Sequence, residues 1–329
     1  MAATTTSTMV LTYKYRLLPN RKQHQALRAI AEAQRQLYNA ALQERIDCYR
    51  RTGKGRSYFD QSKALTELRQ DQEFAALPRK IQHWTLRRLD DAYTGFFRRV
   101  RGRGKAGLPR YRSRTRWKSF GFSQFSGIRF DGKRLRFKGL PGGLRVHMHR
   151  TLPEGSQIKS CMFRRDPKGW YVCFNCALPP AANNGKPGDI GIHAGLNNFA
   201  VLSTGEIIPD PDIIRRHERA LRRRQRALAR CRKTSRRRDK VSASVARAHQ
   251  KVKNTRRTFL HQLSARLTSS YGTILVDDLK TWSLVKSRIA KSTNHDDAWG
   301  TFITMLEYKA ARAGAHVIKI DPENTSRTF

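Results

Sequence analysis

The stretch that most restricts how this chain can fold lies at residues 189–200, Asp-Ile-Gly-Ile-His-Ala-Gly-Leu-Asn-Asn-Phe-Ala. Ile190 and Ile192 alternate with polar or small residues, and this period of two predicts a buried strand. Gly195 allows a sharp reversal that a side chain would obstruct, so we expect a second strand after it. The first strand ends in His193, which makes this histidine a candidate base or metal ligand.

The charge of the chain indicates the class of its partner. Its 329 residues include 67 Lys and Arg against 25 Asp and Glu, a formal net charge of +42. So large an excess destabilises a compact state by self-repulsion, and a polyanion would relieve it. The chain has no run of about 18 apolar residues, the length that a membrane-spanning helix needs. Nucleic acid is therefore the expected partner, and no membrane association is expected. The polar N-terminus has no apolar signal segment, which favours the cytoplasm.

Five scattered cysteines are typical of reduced thiols. Cys173 and Cys176 have the spacing of zinc ligands, but they lie in an alternating, strand-like segment where residues three apart face opposite sides. No second Cys-x-x-Cys completes a set of four ligands. We therefore interpret the pair as structural and predict no bound metal.

The spacing of apolar residues changes twice along the first half of the chain. A strand at 9–17 precedes a helical stretch, which opens at Asn20 as N-cap and includes a long helix after Pro78. Residues 98–116 carry nine Arg and Lys among glycines, which suits a loop contacting a phosphate backbone, although a solvated linker is the alternative. From 118 to 178 the period is two, as in an antiparallel barrel or sandwich.

The second half alternates helices and strands. Residues 215–257 hold 19 Lys and Arg against two acids, and a sparse apolar stripe predicts two antiparallel helices joined near Ser235. Such a hairpin has one core face and basic remaining faces, which suits a duplex or a folded RNA. A short strand at 273–277, a helix at 298–313 and a strand at 315–320 follow, so we predict a multidomain α/β chain.

Short motifs lie in order along nearly the whole chain. They are Tyr15-Arg-Leu-Leu-Pro19, Leu37-Tyr-Asn39, Gly107-Leu-Pro-Arg-Tyr111, Gly169-Trp-Tyr-Val172, Gly191-Ile-His-Ala-Gly195, His261-Gln-Leu-Ser264, Val276-Asp-Asp-Leu279, Asp297-Ala-Trp-Gly300, Leu306-Glu-Tyr-Lys-Ala310 and Thr325-Ser326. No single motif suffices, but by their number and order they resemble the TnpB/OrfB family of transposon-encoded RNA-guided nucleases, and specifically its nuclease-dead repressor branch.

The resemblance implies a fold in three parts. A wedge-type β-barrel (9–18 plus 117–180) carries an inserted helical recognition domain (19–116). A RuvC, RNase H-like domain (186–329) follows, with the basic helical hairpin at 212–270. The partners implied are a guide RNA with a structured scaffold and a double-stranded DNA target. The oligomeric state stays open, with a monomeric ribonucleoprotein favoured.

Two groups of nucleic-acid contacts are expected. Matching the family's pattern, the candidate readers of a short motif beside the DNA target are Tyr58, Ser62, Arg79, His83, Gln124 and Ser126. The candidate contacts to the nucleic-acid backbone lie in the basic loop and the hairpin, and they are Arg101, Arg103, Lys105, Arg110, Arg112, Arg114, Arg116, Arg222, Arg223, Arg226, Arg230, Arg236, Arg237, Lys251, Lys253 and Arg256.

The chain departs from the family at its catalytic acids. His193 stands where the first Asp is expected, and Asp277 stands where a Glu is expected. The third acid and the zinc ribbon would lie beyond Phe329, so we expect a C-terminally truncated RuvC domain that lacks the ribbon. Two-metal cleavage needs bridging carboxylate oxygens, and Mg²⁺ prefers hard oxygen ligands to imidazole. Asp189 lies too far along the strand, and Asp278 on the wrong side, to substitute.

These departures predict a protein that is not an enzyme. It would bind guide RNA and target DNA in the bacterial cytoplasm, at the nucleoid, and repress transcription by blocking RNA polymerase. Base pairing with the guide would supply sequence specificity. The alternatives left open are a residual RNA-guided DNA endonuclease, a non-guided nucleic-acid-binding accessory protein of the transposon, and a relic retained by its element.

Overall fold

The computed structural model describes residues 9–102, 104–179, 187–195, 198–210, 213–277 and 293–320. The chain divides into two compact units, Met1–Pro179 and Pro180–Phe329. The first combines helices with an antiparallel sheet, and the second combines a mixed sheet with long helices. Each unit has its own hydrophobic core.

Four helices follow the first strand of the N-terminal unit. The elements are β1 (Val10–Leu18), α1 (Arg21–Thr52), α2 (Tyr58–Leu68), α3 (Gln72–Ala75) and α4 (Arg79–Arg101). Asn20 caps α1 as predicted: its side chain accepts the Gln23 N–H, and the Gln23 side chain accepts the Asn20 N–H. Ser57 and Asp60 form the same reciprocal box at α2. The helix after Pro78 begins at the next residue, as predicted.

Six further strands complete the N-terminal sheet. They are β2 (Ser119–Phe122), β3 (Ile128–Phe130), β4 (Arg134–Phe137), β5 (Leu144–His147), β6 (Gln157–Asp166) and β7 (Gly169–Ala177). The order is β2-β6-β7-β1-β5-β4-β3, and every pairing is antiparallel. β1 therefore lies in the middle, although it is separated in sequence from the other strands by the helices.

The predicted wedge-type β-barrel is corrected to a curled, open sheet. Among the described strands, β2 and β3 are edges that do not pair with each other. The sheet nevertheless curls over one core, because the Phe122 ring from β2 lies 5.3 Å from the Phe137 ring of β4. Helices α1, α2 and α4 share this core with the sheet through side chains such as Tyr38 and Trp117, whose rings lie 5.2 Å apart.

The described residues of the C-terminal unit form five strands and three helices. They are β8 (Asp189–Ala194), β9 (Ala200–Leu202), β10 (Ile207–Ile208), α5 (Ile213–Ala229), α6 (Arg236–Ser270), β11 (Thr273–Asp277), α7 (Thr293–Ala313) and β12 (His316–Ile320). The strand order is β10-β9-β8-β11-β12, in which β11 runs parallel to both β8 and β12. The predicted strand, turn and strand at 189–200 are confirmed as β8 and β9, which pair antiparallel.

Gly195 is required at the turn after β8 for a steric reason. A Cβ at this position would lie 2.7 Å from the Asn198 carbonyl oxygen, closer than real Cβ contacts allow. The predicted basic hairpin is also confirmed: α5 and α6 pack together, and the Ser235 side chain caps α6 by accepting the Arg238 N–H. The Arg238 guanidinium donates to the carbonyls of Leu228 and Cys231, which closes the turn.

Candidate functional site

The parallel pairing of β8 and β11 brings His193 and Asp277 to the same end of the sheet. Val276 lies opposite Ile192 in the ladder, so the next residue on each strand is a neighbour of the other. The Asp277 side chain is buried, whereas the His193 side chain is about half exposed (47%). A buried carboxylate beside an accessible imidazole at a strand end is thus the centre of the candidate catalytic site.

One oxygen of Asp277 already has two donors. The His193 Nδ1 lies 2.8 Å from Asp277 Oδ2, and the Ala194 N–H donates to the same oxygen at 2.9 Å. The Asp277 backbone carbonyl accepts the Trp299 indole N–H at 3.5 Å. Oδ1 is the oxygen that these contacts leave for another group. Sequence reasoning treated His193 and Asp277 as isolated vestiges and missed that they hydrogen bond.

The donors at this strand end fit part of a divalent-ion site. Asp277 supplies a hard oxygen and His193 a nitrogen, a mixed set that suits Mn²⁺ better than Mg²⁺. Within the described ranges, no three acidic, histidine or cysteine side chains come together to hold a metal.

The other candidate acids and thiols lie elsewhere. Asp189 pairs with Thr273 at the opposite end of the ladder from Asp277, so it cannot reach the site, as predicted. Cys173 and Cys176 are buried cysteines of β7. The predicted absence of a third acid and a zinc ribbon concerns residues outside the described ranges and stays a prediction.

A cavity of about 730 Å³ lies along the sheet beside His193 and Asp277. Its walls are mostly apolar and include Gly191, Val201 and Leu275. The polar pair therefore lies among the residues that line a mostly apolar cavity.

Four of the six candidate motif readers converge in the N-terminal unit. The Tyr58 hydroxyl and the Ser62 hydroxyl each lie 3.1 Å from His83 Nδ1, and the Arg79 Nε–H donates to His83 Nε2 at 3.0 Å. Because Nε2 accepts a hydrogen bond from the Arg79 Nε–H, it carries no proton of its own, and His83 is neutral with its proton on Nδ1. Helices α2 and α4 thus hold a polar cluster centred on one histidine.

The pKa of His83 is lowered, first by burial and then by the nearby positive charges of Arg79, Lys80, Arg69 and Arg87. Each of these effects disfavours a second proton on the ring. The electrostatics therefore agree with the hydrogen-bond pattern, which requires a neutral imidazole.

The remaining two candidate readers lie on the loop after β2. Lys80, the residue after Arg79 on α4, donates to the Gln124 side chain, which links that loop to the helix. Ser126 is exposed on the same loop. Sequence reasoning missed Lys80, although its place beside Arg79 at the start of a helix was visible.

The basic loop before β2 is anchored to α1. The Arg112 carbonyl accepts hydrogen bonds from Arg35 and Asn39, and its N–H donates to the Asn39 side chain. The Arg112 guanidinium lies over the Tyr38 ring at 5.7 Å, with a buried Nε. Arg112 is therefore anchored to α1, and its contact to the nucleic-acid backbone stays a prediction. Arg103 lies outside the described residues.

The other candidate backbone contacts are surface residues. Arg256 is half-buried on α6, and the rest are exposed on the loop or the hairpin: Arg101, Lys105, Arg110, Arg114, Arg116, Arg222, Arg223, Arg226, Arg230, Arg236, Arg237, Lys251 and Lys253. Arg114 also forms an ion pair with Glu32 at 3.4 Å. These positions are accessible to a phosphate backbone.

Comparisons with known proteins match both units. The family model OrfB_IS605, described as "Probable transposase", matches residues 175–288. The helix-turn-helix domain model of the same family matches 9–54, and the Cas12f1-like TNB domain model matches 299–329. In the solved Cas12f1-sgRNA-target DNA complex, one chain is similar over 94% of this chain and 75% of its own length, with a TM-score of 0.60 and 14% identity. This likeness supports a Cas12f1-like multidomain α/β fold.

Two curated relatives cover most of the chain. A Streptomyces pristinaespiralis protein is 31% identical over 313 residues, which span 94% of this chain and 77% of the relative. InsQ of Escherichia coli strain K12 is 25% identical over an alignment of 340 positions, gaps included, which covers 96% of this chain and 81% of InsQ. Both are named as RNA-guided DNA endonucleases.

These names contradict one prediction. The expectation that the chain is not an enzyme was wrong, because the relatives that cover most of it carry an endonuclease name. That inference rested on the residue types at two separate positions, whereas the structure places His193 within hydrogen-bond distance of the Asp277 carboxylate, so that the two form one polar site. In the described part of the chain no helix has the length and apolarity to cross a membrane. By its identity to these relatives and the match of its family models, the chain belongs to the TnpB/OrfB_IS605 family.

Proposed function

We propose that the chain is an RNA-guided DNA endonuclease, which binds a structured guide RNA and cleaves double-stranded DNA beside a short adjacent motif. The observation that carries this proposal is Asp277, a buried carboxylate at the end of a strand paired with β8. The names of the two relatives support the activity. The formal charge of +42 supports two polyanionic partners.

The His83 cluster is the proposed reader of the adjacent motif. Tyr58, Ser62 and Arg79 carry hydrogen-bonding groups that contact the ring and could exchange this contact for base edges. Gln124 and Ser126 on the neighbouring loop would extend the same surface. The protein would read only this short motif, and the guide would read the rest of the target.

The exposed cations of the basic loop and of the α5–α6 hairpin are the proposed backbone contacts. A hairpin with basic faces along its length can follow a phosphate backbone over several nucleotides. A protein acting on genomic DNA in this way would work in the bacterial cytoplasm, at the nucleoid.

At the cleavage site, Asp277 would hold a divalent ion through Oδ1, and His193 would contribute a second donor. Such an ion lowers the pKa of bound water and stabilises charge on the phosphate. The Ala194 N–H keeps the Asp277 carboxylate oriented through Oδ2. His193 limits the carboxylate oxygens available, so slow cleavage that favours Mn²⁺ over Mg²⁺ is expected.

Cleavage of matched DNA by the purified ribonucleoprotein tests the proposal. Asp277→Ala should reduce the rate by more than about a hundredfold, whereas His193→Asp should raise the rate in Mg²⁺ by about tenfold because a second carboxylate is added. Target binding measured in parallel should change little in either variant. Equal cleavage by Asp277→Ala and wild type, or no cleavage by any variant in Mg²⁺ or Mn²⁺, would contradict the assignment.

A second candidate function, transcription repression, is favoured by His193. Slow cleavage would leave the target intact while the complex is bound, and a bound complex at a promoter would block RNA polymerase sterically. Repression of a reporter gene by the Asp277→Ala complex should equal repression by wild type. If the Asp277→Ala complex lost repression as well as cleavage, this second role would be contradicted.

A further inference from the structure

A basic cavity lies between α4 and the edge of the N-terminal sheet. Its volume is about 670 Å³, and its walls come from α4, from β2 with its flanking residues, and from β6. Five cations line it, namely Arg87, Arg88, Arg116, Lys118 and Arg164, against one carboxylate, that of Asp91. A concave site with this excess of positive charge suits an anion.

Arg88 is the most informative of these cations. Its guanidinium lies over the Trp117 ring at 4.4 Å and over the Trp84 ring at 5.4 Å, and it donates to the Ser119 hydroxyl at 3.1 Å. In the part of the chain that the structure describes, no carboxylate forms an ion pair with it. Burial, and then the charge of Arg112, lower its pKa.

A half-buried guanidinium without a carboxylate is costly unless an anion compensates its charge. Arg164 has part of its charge compensated, because it pairs with Asp166 at 2.8 Å. Arg88 has five N–H donors, and the single hydrogen bond to Ser119 leaves most of them available. This fork matches the oxygens of a phosphate in a bidentate contact.

The cavity adjoins the proposed motif reader. The Arg87 guanidinium, on the cavity wall, lies over the Tyr58 ring at 4.9 Å, and Tyr58 contacts His83. Ser123 lines the cavity and directly precedes Gln124. An anion bound here would therefore lie within a few residues of the surface that reads bases.

We propose that this cavity holds one backbone phosphate of the target DNA duplex next to the adjacent motif, and that Arg88 is its main ligand. The site would set the register of the duplex against the His83 cluster. The inference rests on the proposed function, because it requires a DNA target. Phosphate contacts of this kind position a duplex without reading its sequence.

Methylphosphonate scanning tests this proposal on the complete ribonucleoprotein. Each phosphate of the duplex beside the motif is replaced in turn by a neutral methylphosphonate, and target affinity is measured. One position should weaken wild-type binding by about tenfold and have no effect on the Arg88→Gln complex, since the partner charge is gone. Arg88→Gln should itself weaken binding by about tenfold and lower the salt slope by about one.

Two further variants guard against a folding defect in Arg88→Gln. Lys118→Gln alters an exposed residue of the cavity. In this variant, the methylphosphonate at the same position should weaken binding by a smaller factor than it does in wild type. Arg51→Gln removes an exposed arginine at the end of α1 that does not line the cavity, and it should bind as wild type does.

The possible results separate the two proposals. If wild type shows no guide-dependent DNA binding, the proposed function is wrong, and this inference is wrong with it. If wild type binds matched DNA but every methylphosphonate weakens binding by the same factor in Arg88→Gln and Lys118→Gln as in wild type, only the phosphate site is overturned. If Arg88→Gln weakens binding of the guide RNA and leaves DNA affinity of the loaded complex unchanged, the cavity holds an RNA phosphate and the proposal is also wrong.

Discussion

The hydrogen bonds around His83 require a neutral imidazole ring. Its Nε2 accepts from Arg79, so a second proton would place an N–H against a guanidinium. Burial and the surrounding cations lower its pKa for the same reason. The contacts that assemble the candidate motif reader are thus conditional on the protonation of one side chain.

Stability should therefore depend on pH through His83. The folded-state pKa lies below the ordinary value of 6.5, so the unfolded chain binds the proton first as the pH falls. The stabilising contribution is complete above about pH 6.5 and is lost as the pH drops towards the folded-state pKa. Melting temperatures between pH 7.5 and 5.5 should fall more for wild type than for His83→Gln.

His24→Gln is the matched control for that measurement, because it removes an exposed histidine on α1 that lies outside the cluster. It should show the same pH dependence as wild type. If His83→Gln also follows wild type throughout the range, His83 is not the group that titrates.

The pairing of His193 with Asp277 illustrates what the sequence could not predict at this scale. The two residues are far apart in the chain, and they become neighbours only through the register of β8 against β11. Periodicity predicts a strand at each position but carries no information on which strands pair. The convergence of Tyr58, Ser62, Arg79 and His83 could be anticipated only through family resemblance.

Local signals predicted most elements. The cap at Asn20, the junction near Ser235 and the period of two from 118 to 178 correspond to elements that the structure contains. Short elements were missed: α3 has four residues and β10 has two, too few to show a period. Closure of the N-terminal sheet was overestimated, because whether two edge strands meet is decided by curvature and not by the pattern of either strand.

The contact of α4 with β2 depends on Gly121. A Cβ at this position would lie 2.8 Å from the Cys161 carbonyl oxygen and 2.9 Å from Trp84 Nε1. Neither the strand backbone nor a packed indole can move without disturbing neighbours. The same contact forms one side of the basic cavity, since Trp84 lines it.

Gly121→Ala should consequently destabilise the N-terminal unit by about 1–3 kcal/mol, the usual penalty for overpacking a core. Chemical denaturation followed by tryptophan fluorescence measures the effect as a lower midpoint. Gly55→Ala is the matched control, because a Cβ there meets nothing within 4 Å. Its free energy of unfolding should differ from that of wild type by no more than about 0.5 kcal/mol. Equal midpoints for the two variants would show that α4 is not packed against β2 as described.

The whole molecule carries far more positive charge than its own acids compensate. Ion pairs such as Arg45 with Asp90 and Arg266 with Glu206 use a few of the cations, and the net charge of +42 remains. Nucleic acid that neutralises this charge releases counterions, so affinity should fall steeply with salt. Charge alone, however, explains binding to any nucleic acid, and guidance requires specificity for a matched sequence.

The most direct test of the central claim is the affinity of the ribonucleoprotein for labelled double-stranded DNA at about 0.15 M salt, with a target that either matches or does not match the guide. The two targets carry the same adjacent motif, so that only pairing with the guide differs. An RNA-guided protein should bind the matched target at least about a hundredfold more tightly and lose this preference when the RNA is removed. Equal affinity for both targets would contradict RNA guidance and leave a non-guided nucleic-acid-binding protein.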